Sequence, residues 1–137
     1  MRQLITICSL VLLTACASTK KSTTMEPTLD GNWIPVKQEM GGKDLPAAYY
    51  QSQRLVIKDS TYMVSAESVD RGQLQYKDGL MDIYGKEGVN NGKHFKARYK
   101  MEQEQLFIVY DLTGKDYPAA FETASRPGLY MSVYKKG

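Results

Sequence analysis

The first residue with a chemistry of its own is Cys16, which closes the run Leu13-Thr14-Ala15-Cys16. Thr14 and Ala15 are small enough for a peptidase to reach the bond before the cysteine, whose thiol would then carry a diacylglycerol. Upstream lie Arg2 and an apolar stretch from Leu4 to Ala15. A bilayer span needs roughly 20 apolar residues, whereas the apolar region of an export signal has about 7–15. Residues 1–15 are therefore expected to be a lipoprotein signal peptide, with lipidation at Cys16. The alternative is an ordinary secretory signal that happens to contain a cysteine. Cys8, the only other cysteine, leaves with the signal, so no disulfide and no thiolate metal site is expected in the mature chain.

Other reactive arrangements are sparse. Nucleophilic catalysis needs a base, and His94 is the single imidazole, between lysines on the polar face of an alternating segment. Zinc usually takes several His or Cys ligands. Asp78 with Asp82, and Asp111 with Asp116, lack the spacing of a calcium loop. Gly41-Gly42 follows a strand but opens no phosphate-binding helix. A carboxylate pair that meets only in space stays open. The chain is read as not an enzyme, with no catalytic residue, metal or cofactor.

Two patterns point to binding. His94, Lys96, Arg98 and Lys100 share one strand face, with Lys93 beside them, and are expected to face outward, while Phe95, Ala97, Tyr99 and Met101 on the other face are expected to point inward. Such a row either meets anionic lipid or a polyanion, or is the solvated outside of a sheet. Nucleic acid is a poor partner for an exported, lipid-anchored chain. Ten tyrosines stand against three phenylalanines. Rings with a polar tip either line a pocket for an amphipathic molecule or plug an interior. Tyr62, Tyr76, Tyr84, Tyr99 and Tyr110 are the expected lining. Trp33, a packing anchor near one end, and Phe121, closing the mouth, complete the expected ligand-binding set.

The elements that would hold these residues are strands. Turn chemistry separates short apolar runs: Asn32 to Met40, Arg54 to Lys58, Thr61 to Ala66, Gln73 to Lys77, Leu80 to Tyr84, Phe95 to Met101, Leu106 to Asp111 and Leu129 to Lys135. Asp59-Ser60 and Asp78-Gly79 read as tight turns. Asp44-Leu45-Pro46 reads as the start of one short helix reaching Gln51, with Asp44 as its cap. Leu112 to Pro127 is long for a hairpin connection, as lids and binding loops often are. Eight strands in meander order predict an all-β, eight-stranded antiparallel up-and-down barrel over residues 29–137; a two-sheet β-sandwich is the alternative. Residues 16–28, polar and rich in Ser, Thr and Lys, read as a flexible tether. Lys20 and Lys21 either rest on anionic headgroups or are solvated. The formal charge of +3 falls to +2 once Arg2 leaves, too little for strong steering.

Leu29-Asp30-Gly31-Asn32-Trp33 resembles the glycine-x-tryptophan opening of lipocalin-like barrels. Gly42-Lys43-Asp44-Leu45-Pro46, Arg54-Leu55-Val56-Ile57-Lys58, Met81-Asp82-Ile83, Asn91-Gly92-Lys93 and Gly114-Lys115-Asp116-Tyr117-Pro118, followed by Phe121, extend the likeness. Together they resemble a family of small uncharacterised bacterial lipocalin-like domains, numerous in planctomycetes. The resemblance implies a calycin-like barrel, often in the cell envelope, and no established activity. Many members have arginine where this chain has Tyr117. Lipocalins often pair the first-strand tryptophan with a last-strand arginine, where this chain offers Lys135 and Lys136.

Two functional readings follow. One is a lipid-anchored envelope protein, on the periplasmic side of an outer membrane, whose barrel takes a small apolar or amphipathic molecule. The other is a structural or interaction lipoprotein with a filled barrel that meets another envelope protein.

Overall fold

The computed structural model describes residues 26–137. The expected signal peptide, Cys16 and most of the expected tether lie outside them. Nine strands follow in order: β1 (Gly31–Met40), β2 (Lys43–Asp44), β3 (Arg54–Lys58), β4 (Thr61–Ser65), β5 (Val69–Lys77), β6 (Leu80–Glu87), β7 (His94–Glu102), β8 (Gln105–Asp111) and β9 (Leu129–Lys136). β1 pairs antiparallel with β2 and with β3, each strand from β3 on pairs antiparallel with the next, and β1 also pairs with β9. That last pairing closes the sheet into an eight-stranded barrel and removes its edges. The two-residue β2 is an extra flap on the end of β1.

The chain closes because its strands alternate and its turns are tight. Leu55 and Ile57, Met81 and Ile83, Ala97 and Tyr99, and Leu106 and Ile108 are all buried in the period-two pattern of a one-sided strand. A bulge between Pro35 and Lys37 resets the phase of β1, so that Trp33 and Gln38 are both buried. The two-residue turns Asp59-Ser60, Asp78-Gly79 and Gln103-Glu104 have positive φ at both positions. This backbone matches the right-handed twist of the flanking strands.

One end of the barrel is sealed. Trp33 is 1% exposed, and its Nε1 donates to the Leu29 carbonyl at 2.8 Å. The Tyr76 and Tyr99 rings meet edge to face at 5.6 Å. Tyr76 Oη accepts from the Leu29 amide, and Tyr99 Oη donates to Glu26 Oε1 at 2.9 Å. Glu26 also accepts from the Asp78 amide. The last residues before β1 thus run across this end and are fastened there. Burial, then the bond to Glu26, raise the Tyr99 hydroxyl to about 12.

Lys136 supplies the last-strand cation. Its ammonium lies 4.2 Å from the centre of the Trp33 ring and donates to the Asp30 carbonyl. Gly31 makes this approach possible: its φ is +148°, and a Cβ there would fall 2.2 Å from Lys136 Nζ. The glycine of Gly31-Asn32-Trp33 is the space through which the lysine reaches the indole.

The segment between β8 and β9 is a strap on the outer wall. Asp111 anchors it: Oδ1 accepts from the backbone and hydroxyl of Thr113, and Oδ2 accepts from the Asp116 amide and from Arg126. The basic row of β7 faces outward as expected, but it holds this strap. Lys96 donates to the Lys115 carbonyl, Arg98 donates to the Pro118 carbonyl, and Lys100 lies 4.7 Å from the Phe121 ring centre. His94 bonds Asp82 Oδ1 at 2.6 Å, and Asp82 Oδ2 accepts from Tyr117 at 2.6 Å. Tyr117 thus ties the strap to β6 through Asp82.

Three expectations are corrected. The short helix is a single 3-10 turn, Ala47–Tyr49, with Pro46 rather than Asp44 at its cap; Asp44 pairs across to Glu39 in β2 and forms an ion pair with Lys37. β5 starts at Val69, not Gln73, and β6 runs to Glu87, not Tyr84. Met101, expected to face inward, is 39% exposed at the end of β7.

Candidate functional site

Above the sealed end the barrel is hollow. A cavity of about 260 Å³ opens at the opposite mouth. An apolar cavity of roughly 150 Å³ takes a benzene-sized molecule, so this one has room for about ten non-hydrogen atoms by the same proportion. Leu55, Val64, Leu74, Met81, Ile83 and Ile108 form its apolar wall. Its aromatic side comprises Tyr62, Phe95, Tyr110, Tyr130 and Tyr134.

Two of the tyrosine hydroxyls pair with each other. Tyr110 and Tyr134 share a hydrogen bond of 3.0 Å, and the Tyr110 and Tyr130 rings stack at 5.5 Å. Burial raises the hydroxyls of Tyr110, Tyr130 and Tyr134, so all three stay neutral at ordinary pH. Deeper polar groups lie on β1 and β9: Gln38 donates to Gln53 Oε1 at 2.8 Å and to Ser132 Oγ at 3.4 Å.

The most polar corner is built from β4, β5 and the β6–β7 loop. Asp70, 8% exposed, accepts at Oδ2 from Tyr62 Oη at 3.1 Å and from Asn90 Nδ2 at 3.0 Å. Its Oδ1 accepts from the Asn90 backbone at 3.3 Å. Burial first, then the Asp70 charge, push the Tyr62 hydroxyl well up, so it remains a donor. A pair of glycines makes room for this corner. Gly72 and Gly85 face one another across β5 and β6. A Cβ on Gly72 would strike the Tyr62 ring at 2.6 Å, and one on Gly85 would strike the Asn90 carbonyl at 1.8 Å. Glycine inside a strand marks such close approaches.

Of the residues expected to line a pocket, the structure brings two to the cavity, Tyr62 and Tyr110. Tyr76, Tyr99 and Trp33 belong to the sealed end and close the cavity from below. Tyr84 is on the other face of β6, stacked at 4.4 Å on His94, because the inward positions of that strand are Met81 and Ile83. Phe121 does not close the mouth. It packs outside the barrel against Val109, Leu129 and Met131. The expected set missed Asp70, Asn90, Tyr130 and Tyr134. The two tyrosines alternate on β9 and were within reach of a period-two reading. Asp70 lies in a stretch, Val69-Asp70-Arg71-Gly72, too polar to suggest an inward-facing strand.

Among the described residues no group of three or more His, Cys, Asp or Glu is placed to hold a metal ion, and no helix is long and apolar enough to cross a membrane.

A closed eight-stranded antiparallel meander with one sealed end and one apolar cavity has the architecture of a lipocalin-like barrel. No family model and no curated protein matches the chain. Among solved structures it is similar to an uncharacterised protein from Bacteroides eggerthii, with a TM-score of 0.51 and 9% identity over 79% of this chain and 98% of that one. At that identity the likeness concerns the fold alone.

Proposed function

We propose that this chain is a lipid-anchored envelope protein of the lipocalin-like kind that holds one small, mostly apolar molecule in its barrel. The observation that carries the binding reading is the cavity itself: about 260 Å³, apolar and aromatic, open at one end and sealed at the other by Trp33, Tyr76 and Tyr99. The resemblance of its ordered motifs to the small bacterial lipocalin-like family supports the barrel and the envelope location. Anchoring rests on Leu13-Thr14-Ala15-Cys16 and the export signal before it.

Binding is tested with an environment-sensitive apolar dye, for which a one-site isotherm is expected. Tyr110→Ala should change the affinity severalfold, while Lys96→Ala, outside the barrel, should leave it unchanged. Native mass spectrometry of freshly purified protein should show a small-molecule adduct. No dye binding and no adduct would favour the second reading, a lipoprotein that docks another envelope protein. That reading draws on Val69, Val89 and Leu112, exposed at 43%, 71% and 42% around the mouth.

Anchoring has a separate test. Cys16→Ser should move the protein from the membrane to the soluble fraction and abolish labelling by a clickable fatty acid. Unchanged processing and membrane retention would overturn it.

A further inference from the structure

We infer that the cavity selects a small organic cation, an amine attached to an apolar or aromatic body, and that Asp70 is the residue that recognises its charge. The inference rests on the barrel being a ligand-binding one, as proposed above, and adds the class of ligand.

The argument begins with the charge inventory of the cavity. Of all the residues that line it, Asp70 alone carries a formal charge. A buried carboxylate is costly unless a charge of opposite sign compensates it. Among the described residues no lysine, arginine or histidine forms an ion pair with it. Arg71, its neighbour in sequence, pairs with Glu87. Lys93, the cation nearest in the hydrogen-bond network, places its exposed ammonium 3.5 Å from Asn90 Oδ1.

The other fully or nearly buried acid shows what a purely structural carboxylate looks like in this protein. Asp111 is 0% exposed and, like Asp70, accepts bonds from a neighbouring loop. It also has Arg126 at 3.1 Å. Asp70 has the loop-holding bonds, from Asn90 and Tyr62, without the cation. Three neutral donors orient it and leave its negative charge without a counter-ion. A carboxylate has about four lone-pair positions, so one remains for a ligand N–H.

The surroundings suit an ammonium group. The Tyr62 ring carries its hydroxyl to Asp70, and Phe95, Tyr110 and Tyr130 bring further rings to the same cavity. Aromatic faces attract cations, more strongly when water is excluded. An anionic ligand such as a fatty acid would bring a second negative charge into a space that offers no positive one. The size limit of about ten non-hydrogen atoms points to a compact arylalkylamine or alkylamine.

The experiment uses three probes of one shape: 2-phenylethylamine, the neutral 2-phenylethanol and the anionic phenylacetate. Each is titrated into the wild-type protein by calorimetry, with displacement of the apolar dye as a second readout. The amine is expected to bind on the order of ten- to a hundredfold tighter than the alcohol, the range for a hydrogen bond to a charged group, and phenylacetate is expected to bind weakest. Asp70→Asn keeps the shape and should bring the amine down to the level of the alcohol while leaving the alcohol unchanged. If the alcohol binds as well as the amine, or if Asp70→Asn leaves the amine's advantage intact, the inference is overturned and the hollow-barrel reading stands. If neither the dye nor any of the three probes binds, both readings fall. Should Asp70→Asn disturb folding through its bonds to Asn90, seen as a drop in Tm, the wild-type order of the three probes decides alone.

Discussion

Replacing Trp33 by alanine should lower the free energy of unfolding by about 3–5 kcal/mol, the span for a fully buried aromatic side chain. At 1% exposure Trp33 is the largest fully buried side chain. Its removal leaves a void at the sealed end and also the Leu29 carbonyl without its 2.8 Å donor. Lys136 would lose the ring beneath its ammonium. Urea denaturation followed by far-UV circular dichroism measures the loss. In the wild type, the single tryptophan should emit at the short wavelengths of a dry environment. A loss under about 1 kcal/mol, or emission typical of water, would show that the barrel is not anchored where the structure places its anchor.

The second large effect concerns acid. Burial alone would raise the Asp111 carboxyl, but bonds from Thr113, the Asp116 amide and Arg126 outweigh it and bring it down to about 2, from an ordinary 3.8. A folded value below the unfolded one stabilises the fold above the unfolded value, and that contribution is lost as protons arrive. Stability from this group should therefore be complete above about pH 5. It should drain away as the pH falls from about 4 to about 2, by roughly 2 kcal/mol in all. Asp111→Asn should flatten that limb of the stability profile. It should also cost roughly 2 kcal/mol at neutral pH, the scale for hydrogen bonds to a charged group, because Arg126 stays partly in water. Thermal denaturation from pH 2 to pH 7 checks both. An acid limb equally steep in the variant would mean that other carboxyls carry it.

How much of this was legible follows from the physics of each segment. The β7 strand was readable because Phe95, Ala97 and Tyr99 alternate with His94, Lys96 and Arg98, and a slip of one residue would bury charge. Asp59-Ser60 and Asp78-Gly79 announce tight turns by residue type. Gln103-Glu104 does the same job with residues that carry no such mark, and only the two strands around it reveal the turn. Aromatic placement was half legible. Composition indicates tyrosines inside, but Tyr84 shares its strand face with Asp82, whose charge marks that face as the outer one; composition alone passes over that mark. The polar corner was least legible. It lies where β5 and β6 extend beyond their apolar stretches, through Val69 to Gly72 and Gly85 to Glu87. Local hydrophobicity stops there, while the ladder between the two strands goes on. Asp70 therefore reads as a loop acid and folds as an inward-facing wall residue. The strap had a similar fate: its length was plain, but its docking outside the barrel depends on bonds from Arg98 to Pro118 and from Tyr117 to Asp82, which join residues distant in sequence.

The fastening of Glu26 to Tyr99 and Asp78 gives the molecule two unlike poles. The chain enters at the closed pole, and the mouth with Asp70 is at the other, roughly 20 Å away for tilted strands of this length. On the anchored reading, about ten residues separate the lipid on Cys16 from Glu26 at the closed pole. The closed pole then faces the bilayer, and the mouth looks out into the aqueous compartment. Cargo would come and go through water, as befits a charged amine, and would not have to be drawn from the hydrocarbon that holds the anchor.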